Sequence, residues 1–118
     1  MLEDCEADAG LMEFELQEAG IPFMSKRVIT EDDFVQALRE FSPDIILSDY
    51  DLPQYNGLRA LAEAKARCSE IPFILVTGVS NEDLAKEIIT KGADDFVMKS
   101  QLHELARGVR RAAKIATP

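Results

Sequence analysis

Three short, unbroken apolar runs constrain the fold of this chain more than any other feature: Ile45-Ile46-Leu47, Phe73-Ile74-Leu75-Val76 and Phe96-Val97-Met98. A half-exposed antiparallel strand alternates apolar with polar residues, and these runs do not. Their length and continuity suit strands buried on both faces, the condition of a parallel sheet covered by helices. The intervening segments carry helical spacing. Leu58, Leu61 and Ala62 form one stripe, Leu84, Ala85, Ile88 and Ile89 another, and Leu102, Leu105, Ala106 and Val109 a third. Upstream, Leu11, Phe14 and Ala19 predict a helix, as do Phe34, Val35, Leu38 and Phe41. Strands alternating with helices at this spacing imply right-handed βαβ units and an α/β, doubly wound sheet.

The punctuation agrees. Thr30, Asn81 and Ser100 are predicted N-caps, because their side-chain oxygens can accept from unpaired first-turn amides. Gly20 and Gly92 fall where helices should stop. Pro43 and Pro72 each precede a predicted strand, and residues 22–28 are a weaker strand candidate.

Composition narrows the class. At 118 residues, with 47% apolar and 30% charged residues and no linker-like stretch, the chain reads as one domain over residues 1–118 and excludes disordered or collagen-like sequences. No apolar run is long enough for a transmembrane span or a secretory signal. Twenty-two acids against thirteen bases give a net charge of −9, which disfavours direct nucleic-acid or anionic-membrane binding. Cys5 and Cys68 make neither a disulfide framework nor a zinc site, so a cytoplasmic location is expected.

In such a sheet, chemistry gathers at the carboxyl ends of the strands. Those ends place Glu3 and Asp4, then Asp49, Thr77 and Lys99, on one rim. Clustered carboxylates repel one another unless a cation sits among them, and hard oxygen ligands favour Mg²⁺. A carboxylate ringed by Mg²⁺, a lysine and a hydroxyl suits phosphoryl transfer that yields an aspartyl phosphate.

Four motifs in order, Glu3-Asp4, PDIILSDYDLP with Asp49 four residues before Pro53, ILVTG with Thr77 and GADDFVMK ending in Lys99, make nearly the whole chain resemble the receiver domain of two-component response regulators, chemotaxis-regulator-like in form. The resemblance implies a flavodoxin-like, five-stranded parallel sheet of order 2-1-3-4-5 with helices on both faces. It also implies Asp49 as phosphoacceptor, Asp4 and Asp49 as direct Mg²⁺ ligands, the backbone carbonyl of Asp51 as a third ligand, and Glu3 acting through water. Thr77 and Lys99 would contact the phosphoryl group, and Phe96 holds the aromatic switch position beside Thr77. The implied partner is a histidine kinase or a histidine phosphotransfer protein. An output domain or a second copy would be met on the fourth helix, last strand and last helix. The implied role is regulatory, its only catalysis being its own phosphorylation and dephosphorylation.

Departures from the pattern are visible. The acidic pair is Glu-Asp, Ser100 stands where a proline is common, and only Met1 and Leu2 precede Glu3, so a truncated first strand is expected. Two other readings compete. One is an unphosphorylated pseudo-receiver scaffold. The other is a haloacid-dehalogenase-type phosphatase, suggested by Asp49-Tyr50-Asp51 but lacking an acidic pair after Lys99.

Overall fold

The computed structural model describes residues 1–52, 55–78 and 82–114. In chain order the elements are α1 (Glu6–Glu18), α2 (Glu31–Glu40), β1 (Ile46–Ser48), β2 (Asp51–Leu52), β3 (Tyr55–Asn56), α3 (Gly57–Arg67), β4 (Phe73–Thr77), α4 (Glu82–Thr90), β5 (Asp95–Met98), a 3₁₀ helix (Lys99–Glu104) and α5 (Leu105–Ala113). The three apolar runs of the sequence are the three parallel strands β1, β4 and β5, with β4 in the middle.

The chain's first segment adds to this sheet through Leu2, whose backbone is paired on both sides. Leu2 bridges Val28 on one flank and Ser48 on the other, both in parallel. Its N–H donates to Leu47 O at 2.7 Å and its carbonyl accepts from Asp49 N at 2.9 Å, while Glu3 N donates to Val28 O at 3.1 Å. The spatial order is therefore Val28, Leu2, β1, β4, β5, the doubly wound order 2-1-3-4-5 with its first two strands reduced to single bridges. Residues 22–27 carry no strand, so the candidate there shrinks to Val28.

Because neighbouring strand residues point to opposite faces, each run feeds two cores. Leu2, Ile46, Phe73 and Leu75 pack with Phe34, Leu38, Leu61 and Ile88 from α2, α3 and α4. Leu47, Ile74, Val76 and Val97 pack with Met12, Leu16, Leu105 and Val109 from α1 and α5. Each large side chain buried this way contributes about 1.5–3 kcal/mol.

Local details confirm some expectations and correct others. Thr30 caps α2 by accepting from Asp33 N, and Gly20 and Gly92 end their helices at φ of +76° and +110°. Leu11 and Phe14, expected to face the core, are each 53% exposed, and α1 buries Ala9, Met12 and Leu16 instead. Only the 3.6-residue row running down to Leu16 meets the sheet. Ser100 caps nothing: a 3₁₀ turn intervenes and α5 begins at Leu105. The Lys99–Ser100 bond is trans. Asp51–Leu52 and Tyr55–Asn56 pair as two short antiparallel strands, β2 with β3. Pro53 and the predicted cap Asn81 lie outside the described residues.

Candidate functional site

Register alone brings the site residues to one rim. Asp49 follows the last residue of β1, and its N–H is fixed by Leu2 O. Thr77 closes β4 and pairs with Met98, so Lys99, the next residue, leaves the sheet at the same level. Glu3 and Asp4 follow Leu2, one strand over. One carboxylate oxygen from each of Glu3, Asp4 and Asp49 lies within 4.8 Å of the other two.

Lys99 organises this cluster. Its Nζ donates to Asp49 Oδ2 at 3.2 Å and to Asp8 Oδ2 at 2.7 Å. It also lies 3.0 Å from Glu3 Oε2 as an ion pair. Burial works against the ammonium, yet Asp8, Glu3 and Asp49 outweigh it and hold Lys99 above the ordinary lysine range. Glu3 is fully buried. Burial pushes its carboxyl up, Lys99 and the backbone N–H of Cys5 oppose the rise, and the charge of Asp49 adds to it. The hydrogen bond from Lys99 holds Asp8 below the usual carboxylate range.

The remaining oxygens are held by the backbone. Asp49 Oδ1 accepts from Tyr50 N at 2.7 Å, and Glu3 Oε1 accepts from Cys5 N at 3.1 Å. Glu3 Oε2 is buried without a directed hydrogen bond. An octahedral Mg²⁺ sets neighbouring ligand oxygens about 3 Å apart and opposed ones about 4 Å apart. Three hard oxygen donors already this close, with the Lys99 ammonium in contact with only one oxygen each of Glu3 and Asp49, fit a small divalent cation.

Of the other predicted residues, Thr77 is buried at the rim as the last residue of β4. Phe96 is half-buried and packs on the α2–α3–α4 side of the sheet, while Val97 packs on the other. The backbone of Asp51 lies in β2, paired with Asn56, two residues beyond Asp49.

Sequence reasoning missed three residues. Asp8 looked like one more acid in a solvated run. Its signal was its distance of four residues from Asp4, which returns the first helical turn to the rim. Arg27 Nη1 donates to Glu3 O at 3.1 Å and reaches Asp4 O at 3.5 Å, steadying the acidic turn. Gly57 opens α3 against the back of Asp49, where a Cβ would lie 2.8 Å from the Asp49 carbonyl oxygen.

Fold and site together put Glu3, Asp4, Asp49, Thr77 and Lys99 on one rim of a parallel sheet, and comparison with known proteins gives the family. The model of the response regulator receiver domain matches residues 2–110, and the chain belongs to that family. The regulatory protein LuxO of Vibrio vulnificus is 31% identical over 98% of this chain, which spans only 26% of that relative. The chemotaxis protein CheY of Listeria monocytogenes is 28% identical, the match covering 77% of this chain and 87% of that protein.

Among solved structures, a signal receiver domain assigned to the LuxO repressor of Vibrio parahaemolyticus superposes with a TM-score of 0.82 at 28% identity, covering 96% of this chain and 86% of that one. The phosphorylated cyanobacterial phytochrome response regulator RcpA gives 0.78 at 25% identity, covering 97% and 91%. The chain is thus a receiver domain of two-component signalling, a regulatory module rather than the phosphatase weighed above. Among the described residues, no helix is long and apolar enough to cross a membrane.

Proposed function

We propose that residues 1–118 act as one receiver domain in which Asp49 accepts a phosphoryl group from a phosphohistidine on a histidine kinase or a histidine phosphotransfer protein. The observation that carries this reading is the Lys99 ammonium 3.2 Å from Asp49 Oδ2, inside a cluster that also holds Glu3 and Asp4. Asp4, Asp49 and the Asp51 carbonyl would hold Mg²⁺, with Glu3 reaching it through water. When bound, the metal would neutralise phosphoryl oxygens.

The chain's own residues do the rest. An Asp49 carboxylate oxygen forms the new P–O bond as the P–N bond to imidazole breaks, and the leaving nitrogen keeps the electron pair. Lys99 is placed to neutralise charge on the transferred group, and its three N–H donors let it do so without abandoning Asp49. Incubation with acetyl phosphate and Mg²⁺, followed by intact-mass measurement, tests the reading. A gain of a single phosphoryl group supports it, and an unchanged mass contradicts it.

Two expected outcomes follow from the geometry. Saturation with Mg²⁺ relieves the repulsion among Glu3, Asp4 and Asp49, so the thermal midpoint should rise. At a hundredfold excess over the dissociation constant the gain is about 2.7 kcal/mol, or roughly 10 °C for a chain of this size. Calorimetry should show that rise and its loss in Asp4→Asn.

Thr77 supplies a hydroxyl at the rim and makes no part of the carboxylate cluster. Thr77→Ala should therefore still take up phosphate while its response on α4, β5 and α5 weakens. That face, with Phe96 as its steric reporter, is where an output domain or a second copy would read the state. Chemical-shift changes on phosphorylation measure the response. Loss of all uptake in Thr77→Ala would contradict this division of roles.

A further inference from the structure

Lys99 makes its shortest contact, 2.7 Å, to Asp8, an acid of the first turn of α1 that stands apart from the three clustered carboxylates. Its other two contacts, to Glu3 Oε2 at 3.0 Å and Asp49 Oδ2 at 3.2 Å, are to oxygens of that cluster. Only the Asp8 and Asp49 contacts are directed hydrogen bonds, so the ammonium leans toward α1. The position has a cost. A cation among Glu3, Asp4 and Asp49 and an ammonium on the same oxygens repel each other, and inside a partly buried rim that repulsion is only weakly screened.

We propose that Asp8 is a positioning residue that holds the Lys99 ammonium on the α1 side of the rim, keeping it within reach of Asp49 while leaving the Glu3–Asp4–Asp49 oxygens available to a divalent cation. This rests on the reading of that cluster as the Mg²⁺ seat. Without Asp8, the carboxylates left in contact with Lys99 among the described residues are Glu3 and Asp49, the ammonium settles among them, and the metal must displace it. The side chain of Asp8 is one-third exposed, so its removal opens no core cavity.

The test is a double-mutant cycle read by calorimetric titration of the full chain with Mg²⁺. Asp8→Asn should weaken Mg²⁺ binding about fivefold, within the coupling range of contacting charged residues. In a Lys99→Ala background the same substitution should change binding less than about 1.5-fold, because the group through which Asp8 acts is gone. Asp8→Glu, which can still reach the ammonium, should restore most of the affinity.

An equal loss in both backgrounds would mean that Asp8 acts on the metal directly by its charge, and it overturns the proposal. So does an unchanged or tighter affinity in Asp8→Asn. A wild-type chain that binds no Mg²⁺ removes the metal seat itself and the functional reading with it. Wild-type binding with an unaffected Asp8→Asn removes only the role of Asp8.

Discussion

Asp49→Asn will gain no phosphoryl group from acetyl phosphate and Mg²⁺ under conditions where the unsubstituted chain gains one. The substitution keeps the shape of the side chain and its acceptor oxygen, so the bond from Tyr50 N at 2.7 Å survives and the fold should persist. What it removes is the nucleophile: an amide oxygen carries no full charge to attack phosphorus and forms no stable acyl phosphate. It also strips Lys99 of one carboxylate partner while Asp8 and Glu3 keep it in place. Neighbouring acids do not substitute, because Glu3 is buried with its carboxyl pushed above the ordinary range and Asp49 alone of the cluster carries a directed hydrogen bond from Lys99. Intact-mass measurement of both proteins decides the matter. Undiminished uptake in the variant would move the phosphoacceptor elsewhere.

Gly57→Ala should lose about 1–3 kcal/mol of folding stability, a large share of the roughly 5–15 kcal/mol typical of a domain. A Cβ at this position would stand 2.6 Å from Leu75 Cδ1, 2.8 Å from the Asp49 carbonyl oxygen and 3.1 Å from Tyr50 Cα. Leu75 is fully buried in the middle strand and has nowhere to turn, and two of the three obstacles are backbone. The requirement is one of space rather than of dihedral freedom. Relief must come from moving the start of α3, which also strains the 2.8 Å bond from Gly57 N to Tyr50 O. Because the crowded backbone is that of Asp49 and Tyr50, phosphoryl uptake should slow along with the loss of stability. Chemical denaturation followed by circular dichroism measures the first effect. A change below about 0.5 kcal/mol would show that the contact relaxes freely.

How far the sequence alone reached depended on whether the signal was local or spatial. The runs at 45–47, 73–76 and 96–98 were legible because burial on both faces demands unbroken apolar residues, and each became a parallel strand. The helices around Phe34, Leu61, Ile88 and Leu105 were legible from their stripes. In α1 the stripe misled: Leu11 and Phe14 lie at helical spacing, yet the sheet meets the Ala9–Met12–Leu16 face. Periodicity identifies a helix without saying which row of an all-round mixture will be covered. Ser100 had the chemistry of a cap but not the backbone, since the 3₁₀ turn postpones the helix to Leu105.

The order of apolar runs and turns was enough to determine the winding of the sheet, and with it the convergence of Glu3, Asp4, Asp49, Thr77 and Lys99, because strand ends in a parallel sheet share one edge. Tertiary packing alone decided where the Lys99 ammonium points, that Asp8 completes its surroundings, and that Gly57 must leave room behind Asp49. Those outcomes depend on distances of a few ångströms between residues dozens of positions apart. Such distances are set by how helices seat on the sheet, and no one-dimensional pattern encodes that seating.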